Sequence, residues 1–475
     1  MKKRKKERAR AAEEAILIDY RDQNVVILGF ARQGKALARF FGRAGARVIV
    51  SDLRPANELR DEMMELSEFS LQFELEQHPR RMLENASVLF LSGGVPADIP
   101  IVAKAKEMGI RVSNDSQLFL ELTEASVIGI TGSAGKSTTT ALVAKMAEAE
   151  FADSDRRAWV GGNLGRPLLE DVHAIHKQDL AIIEFSSFQL ELMNLSPKLA
   201  AILNITPNHL DRHKNMQAYV AAKKRILLNQ TSNDIAILNR EDPRVWDLRD
   251  AVRGDLFTFG LKEAGVEQGT FVREEGIWLR QHEMEIHVCS VDEIALRGAH
   301  NLANVAAASA IAAAANFSVE SISSGIRNFE GISHRLEFIR NVADVDWYND
   351  SIATSPERAI AAIIAFEEPL VLLAGGRDKN LPWDGFAKQV VERVKHLILF
   401  GEARELIEGA VRAHLPKASA LSIQIVEKFG EAVKAASKVA SPGDIVLLAP
   451  GATSFDEFRD FAERGDLFRQ MVEDF

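Results

Sequence analysis

The chain has 475 residues, enough for about three domains that each bury a core of their own. A formal net charge of −10 makes it a poor candidate for a general nucleic-acid binder, which needs a basic face to neutralise phosphates. Its one cysteine, Cys289, rules out an intramolecular disulfide and a thiolate metal cluster, and no apolar run reaches the ~18 residues of a membrane-spanning helix.

The basic start Met1–Arg10 runs into Ala11-Ala12-Glu13-Glu14 instead of an apolar core, which is not a signal-peptide pattern. A reducing, cytoplasmic setting is expected. Residues 1–22 read as a basic, solvated extension, with contact to anionic lipid or nucleic acid as the alternative. Beyond them, short apolar runs alternate with longer helical patterns: Val25–Leu28, Arg47–Ser51, Val88–Leu91, Val127–Ile130, Leu180–Ile183, Leu199–Leu203, Ile235–Leu238, Val345–Tyr348, Pro369–Ala374, Leu397–Phe400 and Ile445–Ala449. Continuous apolar strands between helices predict parallel sheets in α/β domains. Boundaries are expected near Asn114 and Gly331, giving domains over 23–114, 115–331 and 332–475. The segment Asp255–Ser290, glycine-rich with short alternating runs, reads as a small antiparallel insert.

In the first domain, Val25–Leu28 leads into Gly29-Phe30-Ala31-Arg32-Gln33-Gly34 and then a helix, and Asp52 ends the next strand. Strand, glycine turn, helix and a later acidic residue form the Rossmann layout. Ala31 stands where a dinucleotide fingerprint has its second glycine. The turn is therefore open to three readings: a dinucleotide site, a site for another nucleotide or nucleotide-sugar, and a purely structural turn.

In the central domain, Ser126–Thr131 is a strand and Gly132-Ser133-Ala134-Gly135-Lys136-Ser137-Thr138 opens a helix. Glycines let backbone N–H groups approach phosphate, Lys136 supplies charge, and Ser137 or Thr138 offers a hydroxyl to magnesium. The full G-x-x-x-x-G-K-[ST] spacing is not met, because position 130 is isoleucine, but the strand-to-helix context is the one the motif requires. Ala181-Ile182-Ile183-Glu184 ends a buried strand in a carboxylate, either a magnesium ligand or a helix-cap or salt-bridge partner. After Leu199–Leu203, a polar run holds Asn204, His209, Asp211 and His213, a candidate for magnesium or substrate contact. By spacing alone, Lys223 is an ordinary surface lysine of the helix around Tyr219–Leu227.

These stretches, with Gly161-Gly162-Asn163-Leu164-Gly165, Glu184-Phe185-Ser186-Ser187-Phe188-Gln189, Gly298-Ala299-His300-Asn301-Leu302-Ala303-Asn304, Ser333-His334-Arg335 and Asn349-Asp350-Ser351, occur in an order that resembles the Mur ligases, most closely the branch that adds D-glutamate. The Asp-Asn-Pro-Arg motif of the diamino-acid-adding branch is absent. The resemblance covers nearly all of the chain after residue 22. It implies three domains: a Rossmann-like N-terminal one, a P-loop-type ATPase in the centre and a Rossmann-like C-terminal one. It implies ATP and Mg2+ as cofactors, UDP-N-acetylmuramoyl-L-alanine and D-glutamate as substrates, and a monomeric enzyme that neither binds nucleic acid nor inserts into membranes. Phe30, Ala31, Asp52, Arg54, Gly94, Asn163 and His209 would hold the UDP substrate. Gly132, Ser133, Gly135, Lys136, Ser137, Thr138, Asn301, Asn304, Arg335 and Asp350 would hold ATP. The metal would lie on Ser137, Glu184, His209 and Lys223, the last as a carbamate. Thr354, Lys379, Ser454 and Phe461 would cradle D-glutamate, and Lys136, Lys223, His209 and Arg335 would carry the chemistry. One departure is Ile352, where well-studied members have lysine after Asn-Asp-Ser.

The implied reaction phosphorylates a carboxylate to an acyl phosphate, which an amine then attacks. Two other readings share the phosphate loop. A related ligase, of another Mur type or the folylpolyglutamate type, differs in acceptor, and a P-loop switch or binding module yields no peptide product.

Overall fold

The computed structural model describes residues 20–163, 165–208, 210–416 and 418–475, with the backbone alone at Leu210 and Asp211. Two sequence expectations, the extension before residue 20 and His209, lie outside the described residues. The chain forms two compact units, one reaching to Glu293 and including Ala303–Asn328, the other made of Ile294–Leu302 and Phe329–Phe475.

The first unit holds two sheets. Strands β1 (Asn24–Leu28), β2 (Arg47–Asp52), β3 (Leu71–Leu75), β4 (Val88–Leu91) and β5 (Arg111–Ser113) pair in parallel, in the order β3-β2-β1-β4-β5. The central strands β1 and β4 are apolar and buried almost throughout, as strands covered on both faces must be. The edge strand β3 keeps polar side chains and is only partly covered.

The second sheet comprises β6 (Ser126–Thr131), β7 (Ala158–Gly162), β8 (Leu180–Glu184), β9 (Leu199–Ile202), β10 (Ile235–Asn239), β11 (Asp255–Phe259), β12 (Gly269–Arg273), β13 (Gly276–Gln281) and β14 (Met284–Ser290), in the order β14-β13-β12-β11-β10-β9-β6-β8-β7. The stretch expected as an antiparallel insert continues this sheet. β11 pairs with β10 in parallel, β12 with β11 likewise, and only the β12–β13 and β13–β14 pairs are antiparallel. Gly269 allows the join: its φ is +132°, and a Cβ there would sit 1.7 Å from the Thr258 carbonyl oxygen. One apolar cluster runs from the first sheet (Val25, Phe90) through the helix Asp115–Leu122 (Leu118, Phe119) to the second (Ile183, Leu238).

The other unit carries β15 (Glu337–Val342), β16 (Val345–Asn349), β17 (Leu370–Gly375), β18 (Val394–Phe400), β19 (Ser422–Ile425) and β20 (Ile445–Gly451), in the order β15-β16-β20-β17-β18-β19. All pairs are parallel except β15 with β16. Alternate residues of each strand feed opposite cores: Leu372, Leu399 and Leu447 on one face, Leu373, Ile398 and Leu448 on the other. The three-domain α/β expectation holds, with a parallel N-terminal sheet, a C-terminal sheet parallel but for β15, and a central sheet that is mixed where a small antiparallel insert was expected.

Candidate active site

Three adjacent strands, β9, β6 and β8, end at the same sheet edge, where open α/β sheets bind ligands. The loop after β6 turns at Gly135, whose φ of +80° favours glycine and which caps the helix Lys136–Glu150. Asn204, just past β9, fixes this loop. Its side-chain oxygen accepts from Ser133 N (3.0 Å) and Ala134 N (2.8 Å), and its Nδ2 donates to Ala134 O (3.1 Å). Lys136 Nζ folds back on the Gly132 and Ser133 carbonyls (3.0 and 3.2 Å). The loop thus presents a helix N-terminus and a lysine in one place, an anion-binding geometry. Asn304 lies against it, since a Cβ on Gly135 would sit 2.2 Å from Asn304 Oδ1.

Glu184 is 1% exposed at the end of β8. Its two carboxylate oxygens accept from Ser137 Oγ and Asn163 Nδ2, each at 2.7 Å. The first of these joins the phosphate loop to the strand-end carboxylate. Asn163 and Gly165 in turn accept from the Arg32 guanidinium (Nη2 to Asn163 O 3.0 Å, Nη1 to Gly165 O 2.5 Å), so the first-domain turn reaches the same loop. Sequence reading did not single out Arg32, although it directly follows the turn.

In that turn, Ala31 precedes the helix Arg32–Arg43 without a side-chain cap, leaving first-turn N–H groups for a ligand. Asp52 is held by Phe30 N (2.7 Å), by Arg54 N (2.9 Å) and by the Arg54 guanidinium (3.0 Å). Burial opposes its ionisation, but the hydrogen bonds from Arg54 and Phe30 prevail and bring its pKa down to about 2. Asp52 and Gly94 line one cavity of about 520 Å³ together with Gly29, Leu53, His78 and Val95. His78 is a second residue that sequence reading missed.

Lys223 overturns the surface reading: it is 1% exposed, with Nζ donating to Gly132 O (2.8 Å) and Thr131 Oγ1 (3.3 Å). Burial, then the Lys136 charge, push its pKa well below the usual lysine range, against the pull of Glu184. His213 and Lys223 share the Tyr219 ring, with centroid distances of 5.1 Å from the imidazole and 4.8 Å from Nζ. The His213 ring stacks on Phe188, Nε2 meets Ser187 Oγ at 2.8 Å, and Nδ1 lies 2.9 Å from Glu191.

In the other unit, Arg335 lies between His334 (φ +64°) and Leu336 (φ +42°), a turn that a leucine adopts only when its surroundings impose it. Those surroundings are carboxylates: Asp350 accepts from Leu336 N (3.1 Å) and Glu337 from His334 N (2.7 Å). Burial pushes the Asp350 pKa up to about 7, against Arg335 and Arg358. Asn301 donates to Arg297 O (2.8 Å). The segments carrying the four D-glutamate candidates are tied together. Gly451 N donates to Ala353 O (2.8 Å), beside Thr354, and Arg377 and Thr453 exchange backbone hydrogen bonds, drawing the Lys379 loop to Ser454. Ser351 Oγ donates to Phe461 O (2.7 Å). Arg464, fully buried and unforeseen from sequence, grips Ser351 Oγ (3.0 Å) and Ser351 O (2.9 Å). Lys379 itself is exposed.

Comparison with known proteins follows the same division. Family models match in three places: the Mur ligase MurD-like N-terminal domain over residues 23–114, the Mur ligase middle domain over 130–312, and the Mur ligase glutamate ligase domain over 334–451. A UDP-N-acetylmuramoylalanine–D-glutamate ligase of Symbiobacterium thermophilum is 38% identical over 452 residues, covering 95% of this chain and 98% of its own. The ligase of the same name from Clostridium tetani is 35% identical, with 95% and 96% covered. Among solved structures, UDP-N-acetylmuramate-alanine ligase MurC of Thermotoga maritima shares the fold at a TM-score of 0.57 and 16% identity, covering 95% of this chain and 99% of that one. MurF of Acinetobacter baumannii does so at 0.57 and 17%, covering 98% of each.

Proposed function

The chain belongs to the Mur ligase family, and from that membership we propose that it joins D-glutamate to UDP-N-acetylmuramoyl-L-alanine, forming ADP, in the cytoplasmic synthesis of peptidoglycan precursors. One observation carries the chemistry: the Ser137–Glu184–Asn163 chain lies beside the lysine-bearing loop, so cation-binding oxygens and phosphate-binding N–H groups share one strand edge. D-Glutamate as acceptor rests on the names of the relatives that match along almost the whole chain.

Ser137 Oγ and the Glu184 carboxylate are hard oxygen donors, the class magnesium prefers. His209 and Lys223, as a carbamate, are proposed to complete that set, and the bound ion would offset phosphate charge. Burial lowers the Lys223 pKa and so favours the neutral amine, the form that adds CO2. Gly132, Ser133, Gly135, Lys136 and Thr138 would cradle the ATP phosphates, with Asn301, Asn304, Arg335 and Asp350 as further nucleotide contacts. Phe30, Ala31, Asp52, Arg54, Gly94 and Asn163 would hold the UDP substrate, and Thr354, Lys379, Ser454 and Phe461 the D-glutamate.

The substrate's L-alanyl carboxylate oxygen attacks the γ-phosphorus, the bond to the bridging oxygen breaks, and ADP departs. The D-glutamate amine then attacks the acyl phosphate carbon, and phosphate leaves with the original carboxyl oxygen. Lys136 offsets the repulsion between two anions in the first step. With oxygen-18 in the L-alanyl carboxylate, inorganic phosphate should carry one labelled oxygen per peptide bond formed. Unlabelled phosphate would refute the mechanism. A product mass showing no gain of D-glutamate would refute the acceptor.

A further inference from the structure

The cavity beside the first turn has apolar walls, among them Leu53, Val95, Pro96 and Ile99, and two ionisable lining residues, Asp52 and His78. On the reading that this unit holds a uridine diphosphate, a flat base enters such walls by burying its faces, and selectivity must come from its edge. Uracil presents there an N3–H donor between two carbonyl acceptors. A pocket that selects it therefore needs an acceptor aimed at that N–H.

Asp52 is the obvious candidate, but its lone pairs are taken. Oδ1 accepts from Arg54 N (2.9 Å) and Nε (3.0 Å), and Oδ2 from Phe30 N (2.7 Å) and Arg54 Nη2 (3.0 Å). That fills the roughly four acceptor positions of a carboxylate.

His78 is differently placed. Its Nδ1 lies 2.8 Å from Ser51 Oγ, and the same hydroxyl lies 3.0 Å from the Gln77 carbonyl oxygen. A carbonyl only accepts, so the single hydroxyl proton goes to Gln77, and Nδ1 must carry a hydrogen to donate to Oγ. In the neutral ring this leaves Nε2 bare, and no hydrogen bond is made there among the described residues. Burial lowers the His78 pKa, against the pull of Asp52, which favours the neutral ring at pH 7.

We propose that His78 Nε2 accepts the N3–H of the substrate's uracil and so makes this pocket select uracil over cytosine, whose N3 is itself an acceptor. Ser51 and Gln77 act as positioning groups that fix the tautomer.

The test is calorimetric titration of the full chain with UDP and with CDP. The wild type should prefer UDP by about tenfold to a hundredfold, the size expected when a mismatched pair leaves a buried polar group unmet. His78→Phe keeps a flat ring and removes the acceptor, so the preference should fall below about threefold while the melting temperature holds. His78→Gln, whose amide carbonyl can accept, should keep part of it and serves if the phenylalanine variant does not fold. Retention of the full preference in both variants would overturn the proposal. So would its collapse in Asp52→Asn with His78→Phe unchanged, which would make the carboxylate the reader. A wild type that binds UDP without preference over CDP overturns the role of His78 alone, whereas one that binds neither overturns the substrate reading beneath it.

Discussion

A lysine in mid-helix normally sends its ammonium to water, yet Lys223 is buried and donates to the phosphate loop. Spacing did not reveal this, because Lys223-Lys224-Arg225 puts a cation on every face of the helix Met216–Leu228 and only packing decides which one turns inward. Lys223→Ala should lower kcat by roughly 100-fold to 1000-fold, the usual cost of losing one preorganised charged group. Acetate or formate should restore part of the rate by standing in for the carbamate, and unchanged turnover would remove Lys223 from catalysis. Asp115 makes a second case. It is 3% exposed, its Oδ1 has no hydrogen-bond partner among the described residues, and burial raises its pKa to about 7. The folded chain then binds this proton more tightly than the unfolded one, so the stability contribution is complete below pH ~4 and lost as pH rises through 7. At ~1.4 kcal/mol per pKa unit, that loss amounts to a few kcal/mol. Asp115→Asn should therefore stabilise the protein at pH 8 by more than at pH 5 in urea unfolding. An equal effect at both pH values would show that Asp115 does not titrate in this range.

At the level of elements, the phosphate loop depends on Gly135. Alanine there meets two obstacles at once, a φ of +80° and a Cβ 2.2 Å from Asn304 Oδ1. Gly135→Ala should cut ATP turnover by about 100-fold or more, as misplaced reacting groups do, while UDP binding to the first sheet stays within about twofold. Near-normal ATP turnover would mean that the loop relaxes without consequence. Central strands were legible in the sequence because they are buried on both faces: Val25–Leu28, Leu180–Ile183 and Ile445–Ala449 all fall within observed strands. Three of the strands at sheet edges were not. β3 (LQFEL), β7 (AWVGG) and β19 (SIQI) are short, partly exposed and broken by polar residues or glycine. The phosphate loop and Glu184 were legible for the same reason the central strands were, since each sits at the end of an apolar run. Asn204 was legible as part of the polar run after β9, but its grip on the loop, like the positions of His78 and Arg464, depends on partners up to 113 residues away, such as the Ser351–Arg464 contact, and local patterns carry no such signal.

In the molecule as a whole, the first two sheets share an apolar cluster, and the third is packed by others. One apolar cluster links Val25 and Phe90 of the first sheet, Leu118 and Phe119 of the connecting helix, and Ile183 and Leu238 of the second. The third sheet is enclosed by clusters of its own, with Leu372 and Leu447 in one and Leu373 and Leu448 in the other. Buried polar bonds reinforce the first link: Asn114 donates to Gln189 O (2.7 Å), and Gln189 donates to Ser116 Oγ (2.8 Å). Cooperativity follows shared cores, so the three expected domains should melt as two transitions. A ligand stabilises only the unit that binds it, by about 2.7 kcal/mol at a hundredfold excess over Kd. UDP should therefore raise the transition of the unit holding both linked sheets and leave the other in place, while D-glutamate should do the reverse if Thr354, Ser454 and Phe461 hold it. Differential scanning calorimetry with each ligand reads this directly. Three separable transitions, with UDP moving the first sheet independently of the second, would show that the continuous cluster does not make those two sheets fold as one.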